Sequence, residues 1–585
     1  MRSYLLLFLA VISASFTWAQ KTKNIKLKEA GTLEAKYPMS KWENITDVKI
    51  SGKISENDIL FVREVSKQHK KLKKIDLSAV NGLNNLPTGA FYLAYSLEEV
   101  VLPSEVKDIE VSAFDECHNL KKVTLSSNLE KISDFAFRNC SALNQIEIPS
   151  SVETIGNAAF KGCFSLSNIE MSNSIKTIGN EVFYGCTELR RISLPSQMTN
   201  IGYSAFEGCV SIDSVSIPYG LTEIKDNTFW GCAGLTSIII PGSVEKLGNY
   251  VFWGCRNIKK MIIPASVKSM GKGCFNDCEN LESVNILGQI SKLDDMSFFQ
   301  CKNLTNIKMT EGLDTIGNNA FEYCENLKSI IIPGSVKHIG NNAFSECSEL
   351  KSIILPVSMT RISPYTFQNC FELTSVNIPE GVTEIDSSAF VDCKSLAKVT
   401  LPANLKKINY RAFSGCTHLT NLFLPYRLTY IGEQSFYLSG LQKITIENGI
   451  KKIENGAFAA SDLSEIKIGG SVEEIGANAF SECTWLKKVE LKDGLKSISD
   501  SAFVSCWLLR TVILPKTLDK IGKNAFKGCE NVNSIKSTNT IPPVTNESFS
   551  FNKNTCTLYV PQKQAKTYKS AKEWQDFKLI YEIKN

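Results

Sequence analysis

The stretch SVETIGNAAFKGCFSLSNIEM, residues 151–171, decides the fold because its apolar residues fall into three short patterns. The piece Leu-x-x-Ile-x-Met, from Leu166 to Met171, alternates apolar and polar residues and predicts a short strand. The piece Val-x-x-Ile-Gly, from Val152 to Gly156, predicts a second short extended segment. Between them, Ala-Phe-x-x-Cys-x-x-Leu predicts a tight turn or a short 3₁₀-like segment.

The same pattern recurs along most of the chain with a period of 23 residues. Of the 31 phenylalanines, 21 occupy the slot of Phe160, and two of the steps between them are 22 residues long. These are Phe91, Phe114, Phe137, Phe160, Phe183, Phe206, Phe229, Phe252, Phe275, Phe298, Phe321, Phe344, Phe367, Phe390, Phe413, Phe436, Phe458, Phe480, Phe503, Phe526 and Phe549. Cysteine follows this phenylalanine by three residues in 17 places, and proline follows it by twelve residues in 13 places.

A single coil of this kind cannot bury its own apolar residues, whereas stacked coils bury them against the same slots above and below. Parallel strands stack about 4.8 Å apart, so equivalent residues of successive coils should form continuous buried ladders. The proline cannot donate to a strand ladder and should therefore end each strand. The sequence predicts a solenoid of about 21 coils over residues 86–561.

The composition excludes several classes of protein. The chain has 585 residues, of which 43% are hydrophobic and 21% are charged. These values are typical of a globular protein and exclude a disordered chain, a collagen and a polytopic membrane protein. The net charge of +5 gives no reason to expect a nucleic acid as a partner. The length alone suggests about four domains, but the repeat indicates one long domain between two caps.

The N-terminus is typical of a cleavable secretory signal peptide. Residues 1–19 contain Arg2, an apolar stretch from Tyr4 to Phe16, and small residues at positions 17 and 19. A buried core strand is the alternative interpretation. No later stretch reaches the length of about 18 apolar residues that a membrane span requires. We therefore expect an exported protein, extracellular, at the cell surface or in the periplasm, with no transmembrane segment.

Residues 20–85 and 562–585 should form the N-terminal and C-terminal caps, since the terminal coils of a solenoid must be covered. In the first cap, residues 45–52 predict a strand, and Ser55 with Asp58 predicts the start of a helix. In the second, a short helix and an extended piece should follow the last strand, Thr557–Val560. The aromatic face of that helix is expected to cover the last coil with Tyr568, Ala571, Trp574 and Phe577.

The 19 cysteines are expected to be buried, reduced thiols rather than disulfides or metal ligands. Neighbouring cysteines of the ladder would keep their Cβ atoms about 5 Å apart, whereas a disulfide needs roughly 3.5–4.5 Å. The four histidines are scattered and no Cys-x-x-Cys occurs, so no metal site is predicted. Cys274 occupies an alanine slot, and Cys556 is the one candidate for a reactive or intermolecular thiol.

No catalytic residue and no cofactor site is predicted, and we expect a protein that is not an enzyme. The sequence contains no G-x-S-x-G elbow, P-loop or dinucleotide fingerprint, and no slot accumulates Asp or Glu in neighbouring coils. Lysines after the first predicted helix indicate either a polyanion site or an ordinary solvated helix end. They are Lys67, Lys70, Lys71, Lys73 and Lys74.

The Leu-x-x-Ile-x-Ile strand and the 23-residue Ala-Phe-x-x-Cys-x-x-Leu period resemble the BspA-like class of bacterial leucine-rich repeats over about residues 86–561. The resemblance implies a leucine-rich-repeat solenoid of the strand-rich α/β class, right-handed and curved, with a parallel sheet on its concave face. It also implies an exported or surface protein, since some members are adhesins for host matrix proteins or other bacteria.

Partner binding on a solenoid usually uses an extended face. Residues eight and ten positions after the phenylalanine should point outward from the strand. The second of these columns contains the apolar candidates Ile239, Ile262, Ile331, Ile354 and Phe423, with Ile513 and Tyr559 further on. They indicate either an interaction surface or β-branched residues that stabilise an exposed sheet by cross-strand contact.

Trp230 and Trp253 follow the repeat phenylalanine in adjacent coils and should stack on the turn face, near Tyr184 and Phe299. Such a pair indicates either a platform for a sugar or protein partner or simple packing of the turns. The two 22-residue steps, where serine replaces the ladder cysteine, indicate either sequence drift or a local change of curvature.

Two classes of function remain open. The first is an adhesin-like surface protein that binds a protein or glycan partner, from a host matrix or a bacterial surface, through a face of the solenoid. This class depends on the resemblance and on the absence of catalytic motifs. The alternative is a structural, self-assembling component of the cell envelope with no external ligand.

Overall fold

The computed structural model describes residues 21–446 and 449–583, and the predicted signal peptide, residues 1–19, lies outside them. The chain divides into two compact units, Met1–Ile212 (unit 1) and Asp213–Asn585 (unit 2). In both units, longer and shorter strands alternate along the chain and each series pairs in parallel. The fold is a parallel β-solenoid of about 24 turns, as the repeat predicts.

The strands of unit 1 form two series. Its longer strands are Thr22–Leu27, Asp47–Lys53, Lys74–Asn81, Glu99–Val101, Lys122–Thr124, Gln145–Glu147, Asn168–Glu170 and Arg191–Ser193. Its shorter strands are Asn85–Leu86, Asp108–Ile109, Lys131–Ile132, Thr154–Ile155, Thr177–Ile178 and Asn200–Ile201.

Unit 2 contains the same two series. Its longer strands are Ser214–Ser216, Ser237–Ile239, Lys260–Ile263, Ser283–Ile286, Asn306–Lys308, Ser329–Ile331, Ser352–Ile354, Ser375–Asn377, Lys398–Thr400, Lys443–Ile446, Glu465–Ile468, Lys488–Glu490, Thr511–Leu514, Ser534–Ser537, Thr557–Val560 and Leu579–Glu582. Its shorter strands are Glu223–Ile224, Lys246–Leu247, Ser269–Met270, Lys292–Leu293, Thr315–Ile316, His338–Ile339, Arg361–Ile362, Glu384–Ile385, Lys407–Ile408, Tyr430–Ile431, Lys452–Ile453, Glu474–Ile475, Ser497–Ile498, Lys520–Ile521 and Val544–Thr545.

The number of turns exceeds the predicted 21 because residues at both ends of the chain add strands of their own. In unit 1, Thr22–Leu27 and Asp47–Lys53 pair in parallel and extend the sheet before the first repeat phenylalanine. The predicted helix is present as Glu56–Gln68, and Ser55 and Asp58 form the expected capping box. A short helix, Leu33–Lys36, and a 3₁₀ helix, Met39–Lys41, were not predicted.

The C-terminal aromatic segment is not the single helix that its spacing predicts. It divides into the helix Ala565–Lys569 and the 3₁₀ helix Trp574–Asp576. Between them Glu573 takes a left-handed conformation, with φ of 62°, and its carboxylate accepts hydrogen bonds from the backbone N–H groups of Glu547 and Ser548. These hydrogen bonds give two backbone N–H groups of the last coil a partner.

The repeat phenylalanines form one ladder of stacked rings within each unit. In unit 1, Phe114 and Phe137 lie 5.0 Å apart between ring centroids, and the rings are nearly parallel at 6°. In unit 2, Phe275 and Phe298 lie 5.5 Å apart at 2°. The rings are almost completely excluded from solvent. Burying such a side chain contributes about 1.5–3 kcal/mol, so each coil depends on its neighbours for stability.

The turn around each phenylalanine is held to the next coil by its own backbone. The N–H groups of Ala158 and Gly162 donate to the carbonyls of Asn180 and Tyr184 on the next coil, at 2.7 and 2.8 Å. Both donors have positive φ, which is 50° at Ala158 and 73° at Gly162. Glycine is therefore favoured at the second of these positions.

A second ladder fixes how closely successive coils approach. In unit 2, Asp226 Oδ1 accepts a hydrogen bond from the backbone N–H of Asn249 at 2.8 Å. Asn249 Oδ1 in turn accepts one from the backbone N–H of Lys272 at 2.9 Å. Glycine precedes both Asn249 and Lys272 and leaves room for this contact. A Cβ on Gly271 would lie 2.6 Å from the backbone nitrogen of Asn249.

Substitution of Gly271 by alanine should therefore destabilise the protein. Because backbone atoms of the preceding coil occupy the space that the new methyl group needs, we expect a loss of about 1–3 kcal/mol, the usual cost of overpacking. The control is Gly242→Ala, since a Cβ on Gly242 meets no atom within 4 Å. Thermal unfolding followed by circular dichroism measures the difference, and equal midpoints for the two variants would contradict the close approach.

Candidate functional site

The second outward column of the sheet is exposed where the sequence predicts it. In the strand Ser237–Ile239 the exposed residues alternate with one buried residue, so Ile239 points away from the core. Its side chain is 79% exposed, and that of Phe423 is 91% exposed. The orientation is the same for all five apolar candidates on this column, which are Ile239, Ile262, Ile331, Ile354 and Phe423.

Three aliphatic side chains form an exposed cluster in unit 2, which we call the aliphatic patch (Ile331, Ile354 and Val357). Ile331 lies directly opposite Ile354 in the parallel register. Val357 follows three residues later on the same coil, and all three are at least 83% exposed. Sequence reasoning missed Val357 because it lies outside the strand, in the turn after Pro356.

Phe423 stands in a coil whose sheet pairing is weak. A single isolated bridge, between Asn421 and Lys443, joins this part of the coil to the next one. Tyr426, which the column pattern did not include, is 66% exposed in the same coil. Its hydroxyl accepts a hydrogen bond from Arg427 Nε at 2.9 Å. Phe423, Tyr426 and Arg427 are thus exposed aromatic and cationic residues of one coil, which we call the Phe423 cluster.

Ile239 and Ile262 have polar neighbours. Ile239 lies opposite Ser216, and Ile262 lies opposite Asn285. Each isoleucine therefore has a polar neighbour on one side, and their two strands belong to different sheets, whereas the strands of Ile331 and Ile354 pair directly. The aliphatic patch has the stronger apolar character.

Trp230 and Trp253 stack as predicted, with ring centroids 4.7 Å apart and planes at 4°. Both rings are half-buried, and Tyr250 packs against Trp253 at 5.1 Å. Each tryptophan covers one ring face of the other. This arrangement favours the interpretation that the pair packs the turns together over the interpretation that it is a binding platform for a ligand. Phe299, which was expected near this pair, packs edge-on against Tyr323 at 5.7 Å.

The cysteines are buried and free, and all 19 lie within the described residues. Their predicted burial is confirmed. Most ladder thiols donate a hydrogen bond to the carbonyl of the phenylalanine in the preceding coil, as Cys163 Sγ does to Phe137 at 3.1 Å. Burial raises the pKa of Cys483 to about 11. These thiols are therefore protonated, structural groups at neutral pH.

Cys556 is not the reactive thiol that its isolated position suggested. Its side chain is fully excluded from solvent, and burial raises its pKa to about 12. A thiol must be accessible and deprotonated to react, so both conditions for reactivity fail. The position lies just before the strand Thr557–Val560.

Carboxylates do meet across coils, which the slot-by-slot comparison missed. Burial raises the pKa of Glu322, and the charge of Glu346 on the next coil raises it further. In unit 1, burial raises the pKa of Glu207, with a contribution from the charge of Glu181. The partners occupy different slots of the repeat, so counting acidic residues within one slot does not find them. Within residues 21–446 and 449–583, no cluster of His, Cys, Asp or Glu has the arrangement of a metal site.

Three of the five lysines at and after the end of the helix Glu56–Gln68 form ion pairs with glutamates. Lys67 pairs with Glu64 at 3.2 Å, and Lys73 pairs with Glu98 at 2.6 Å. Lys74 pairs with a further glutamate on the next strand. This pairing favours an ordinary solvated surface over a polyanion site.

The fold and its slots define a leucine-rich-repeat solenoid. The chain matches the BspA type leucine rich repeat region (6 copies) over residues 10–121, 107–236, 222–351, 337–463 and 451–573. These matches span most of the chain, and it belongs to this family. Proteins with this fold are generally non-enzymatic scaffolds.

Several solved structures of leucine-rich repeat proteins are similar to the chain, with modest sequence identity and low TM-scores. A leucine-rich repeat protein from Bacteroides ovatus is 21% identical with a TM-score of 0.34, over 88% of this chain and 88% of that chain. A leucine rich cell surface protein from Faecalibacterium prausnitzii is 27% identical with a TM-score of 0.36, over 52% of this chain and 84% of that chain. The T. pallidum leucine rich repeat protein is 32% identical with a TM-score of 0.25, over 32% of this chain and 77% of that chain. No curated protein matches the chain.

The buried thiols predict a specific pattern of chemical reactivity. In native protein near pH 8, a thiol reagent should label almost none of the cysteines, whereas all 19 should react after denaturation under non-reducing conditions. Because the folded pKa values lie above the unfolded value of 9.0, the thiols stabilise the fold below about pH 9, and this contribution is lost as the pH rises towards 11. A shortfall of thiols in denatured protein would show disulfides and contradict the thiol ladder.

Proposed function

We propose that the protein is an exported or cell-surface, non-catalytic binding protein, adhesin-like, that recognises a partner through the outward sheet face of unit 2. The observation that carries the proposal is the exposure of the aliphatic patch and of Phe423, at 83% or more for each side chain. Contiguous exposed apolar groups on a folded protein are typical of interaction sites. Of the protein and glycan partners predicted from the sequence, this surface favours a protein.

The chemistry of the surface supports a protein partner. Branched aliphatic side chains offer few hydrogen bonds to a sugar, but they pack well against apolar side chains. Phe423 projects as a single ring that a pocket on a partner could enclose, and Tyr426 and Arg427 beside it are residue types that dominate binding energy at protein interfaces. Enclosing a phenylalanine contributes about 1.5–3 kcal/mol before the costs of association.

The location outside the cell is also part of the proposal. BspA-type proteins are typically secreted or at the surface, and the predicted signal peptide agrees with this. In the part of the chain that the structure describes, no helix is long and apolar enough to cross a membrane.

The test is a triple variant, Ile331→Ser, Ile354→Ser and Phe423→Ala, compared with the single variant Ile541→Ser. Ile541 is also highly exposed, at 74%, but it lies outside the sheet strands. A panel of immobilised matrix proteins and bacterial surface proteins identifies the partner by surface plasmon resonance. We expect the triple variant to bind at least about tenfold more weakly, a loss of roughly 1.4 kcal/mol or more, and the control to bind as the wild type does.

Both variants should keep the thermal midpoint of the wild type, because the substituted side chains contribute little to the buried core. Undiminished binding by a folded triple variant would contradict this surface as the site. Concentration-dependent self-association in ultracentrifugation, abolished by the same triple variant, would instead favour the structural, self-assembling alternative.

A further inference from the structure

A separate groove lies at the C-terminal end of the sheet in unit 2. It has a volume of about 600 Å³ and lies on the outward face of the last four longer strands. This size is within the range of ligand-binding sites. Outward-pointing residues of adjacent strands line it, namely Thr511, Ile513, Ser534, Lys536, Tyr559 and Tyr581.

The two tyrosines form a tilted aromatic wall. Tyr559 lies opposite Tyr581 in the parallel register, and their rings are 6.3 Å apart at an angle of 35°. Tyr581 is on the last strand that the structure describes, and it is 55% exposed. One face of its ring is therefore open, in contrast to the closely stacked pair of Trp230 and Trp253.

The polar groups of the groove are mainly hydroxyls and one cation. Thr511 and Ser534 present hydroxyls from the floor, and the two phenols contribute two more. Within the described residues, no carboxylate forms an ion pair with Lys536, which is exposed. Glu582 also borders the groove, but strand alternation directs its side chain to the opposite face. There its carboxylate accepts a hydrogen bond from the backbone N–H of Ala565 at 3.3 Å.

We propose that this groove binds an oligosaccharide that carries a carboxylate, such as a uronic or sialic acid. The apolar face of a sugar ring stacks on the open face of Tyr581, and the hydroxyl groups of the sugar pair with the hydroxyls of the floor. Lys536 supplies the charge-assisted hydrogen bond to the carboxylate. A peptide fits less well, because the backbone N–H and C=O groups of the floor are already paired within the sheet. A peptide backbone would therefore find only side chains of the groove as hydrogen-bond partners.

Isothermal titration of the full mature chain with trigalacturonate and with sialyllactose tests the proposal. Methyl-esterified trigalacturonate and lactose are the matched neutral probes. We expect at least one acidic probe to bind saturably, with affinity that falls as the salt concentration rises. Tyr581→Ala and Lys536→Gln should each weaken this binding about tenfold or more.

Two control variants remove a lysine and a tyrosine side chain elsewhere in unit 2. Lys308 occupies the same outward slot as Lys536 in an earlier coil, and Tyr219 is an exposed tyrosine outside the groove. Lys308→Gln and Tyr219→Ala should leave the titration unchanged. The proposal is overturned if neither acidic probe binds saturably, if the neutral probes bind equally well, or if Lys536→Gln and Tyr581→Ala bind normally. Displacement of the sugar probes by hexaglutamate at lower concentration would assign the groove to acidic peptides and would also overturn it.

Discussion

The packing of one phenylalanine ring on the next is the interaction on which the remaining structure depends. Rings 5.0 to 5.6 Å apart in unit 1 set the separation of successive turns, and that separation suits the spacing of parallel strands. The same separation lets the ladder thiols reach the carbonyl of the preceding phenylalanine. Because every turn buries its apolar residues only against its neighbours, the interior must repeat and the outward residues are free to vary.

The aliphatic patch lies in regularly paired coils, whereas the other two proposed surfaces lie where the repeat is irregular or where the described sheet ends. Phe423 stands in the coil where the sheet narrows to one bridge, and the groove of Tyr559 and Tyr581 lies beside the last strand. In the regular coils, an outward side chain has a neighbour on both sides. At an irregular or terminal coil one side of the residue is open, so a partner can reach surface that the next coil would otherwise cover.

The interior of the fold could be predicted from the sequence because each buried slot recurs at a fixed interval. The strand segments, the thiol ladder and the capping box of Ser55 follow from local patterns. Contacts between different slots could not be predicted in this way. The carboxylate of Glu573 accepts from the backbone of Ser548 from a position between two short helices, and the charges of Glu322 and Glu346 interact between successive coils. Likewise, the exposure of Val357 and Tyr426 depends on the direction in which their turns project from the coil. The repeat period does not predict that direction.

Hydrogen–deuterium exchange along the chain tests most directly whether contacts between successive turns hold each coil. In the two 22-residue coils, serine replaces the ladder cysteine. The Ser439 hydroxyl has no hydrogen-bond partner among the described residues, and Ser461 donates to the carbonyl of Phe458 in its own coil. The account predicts faster amide exchange in the turns of residues 436–461 than in the turns of residues 390–416 and 480–506. Equal or slower exchange in residues 436–461 would contradict it.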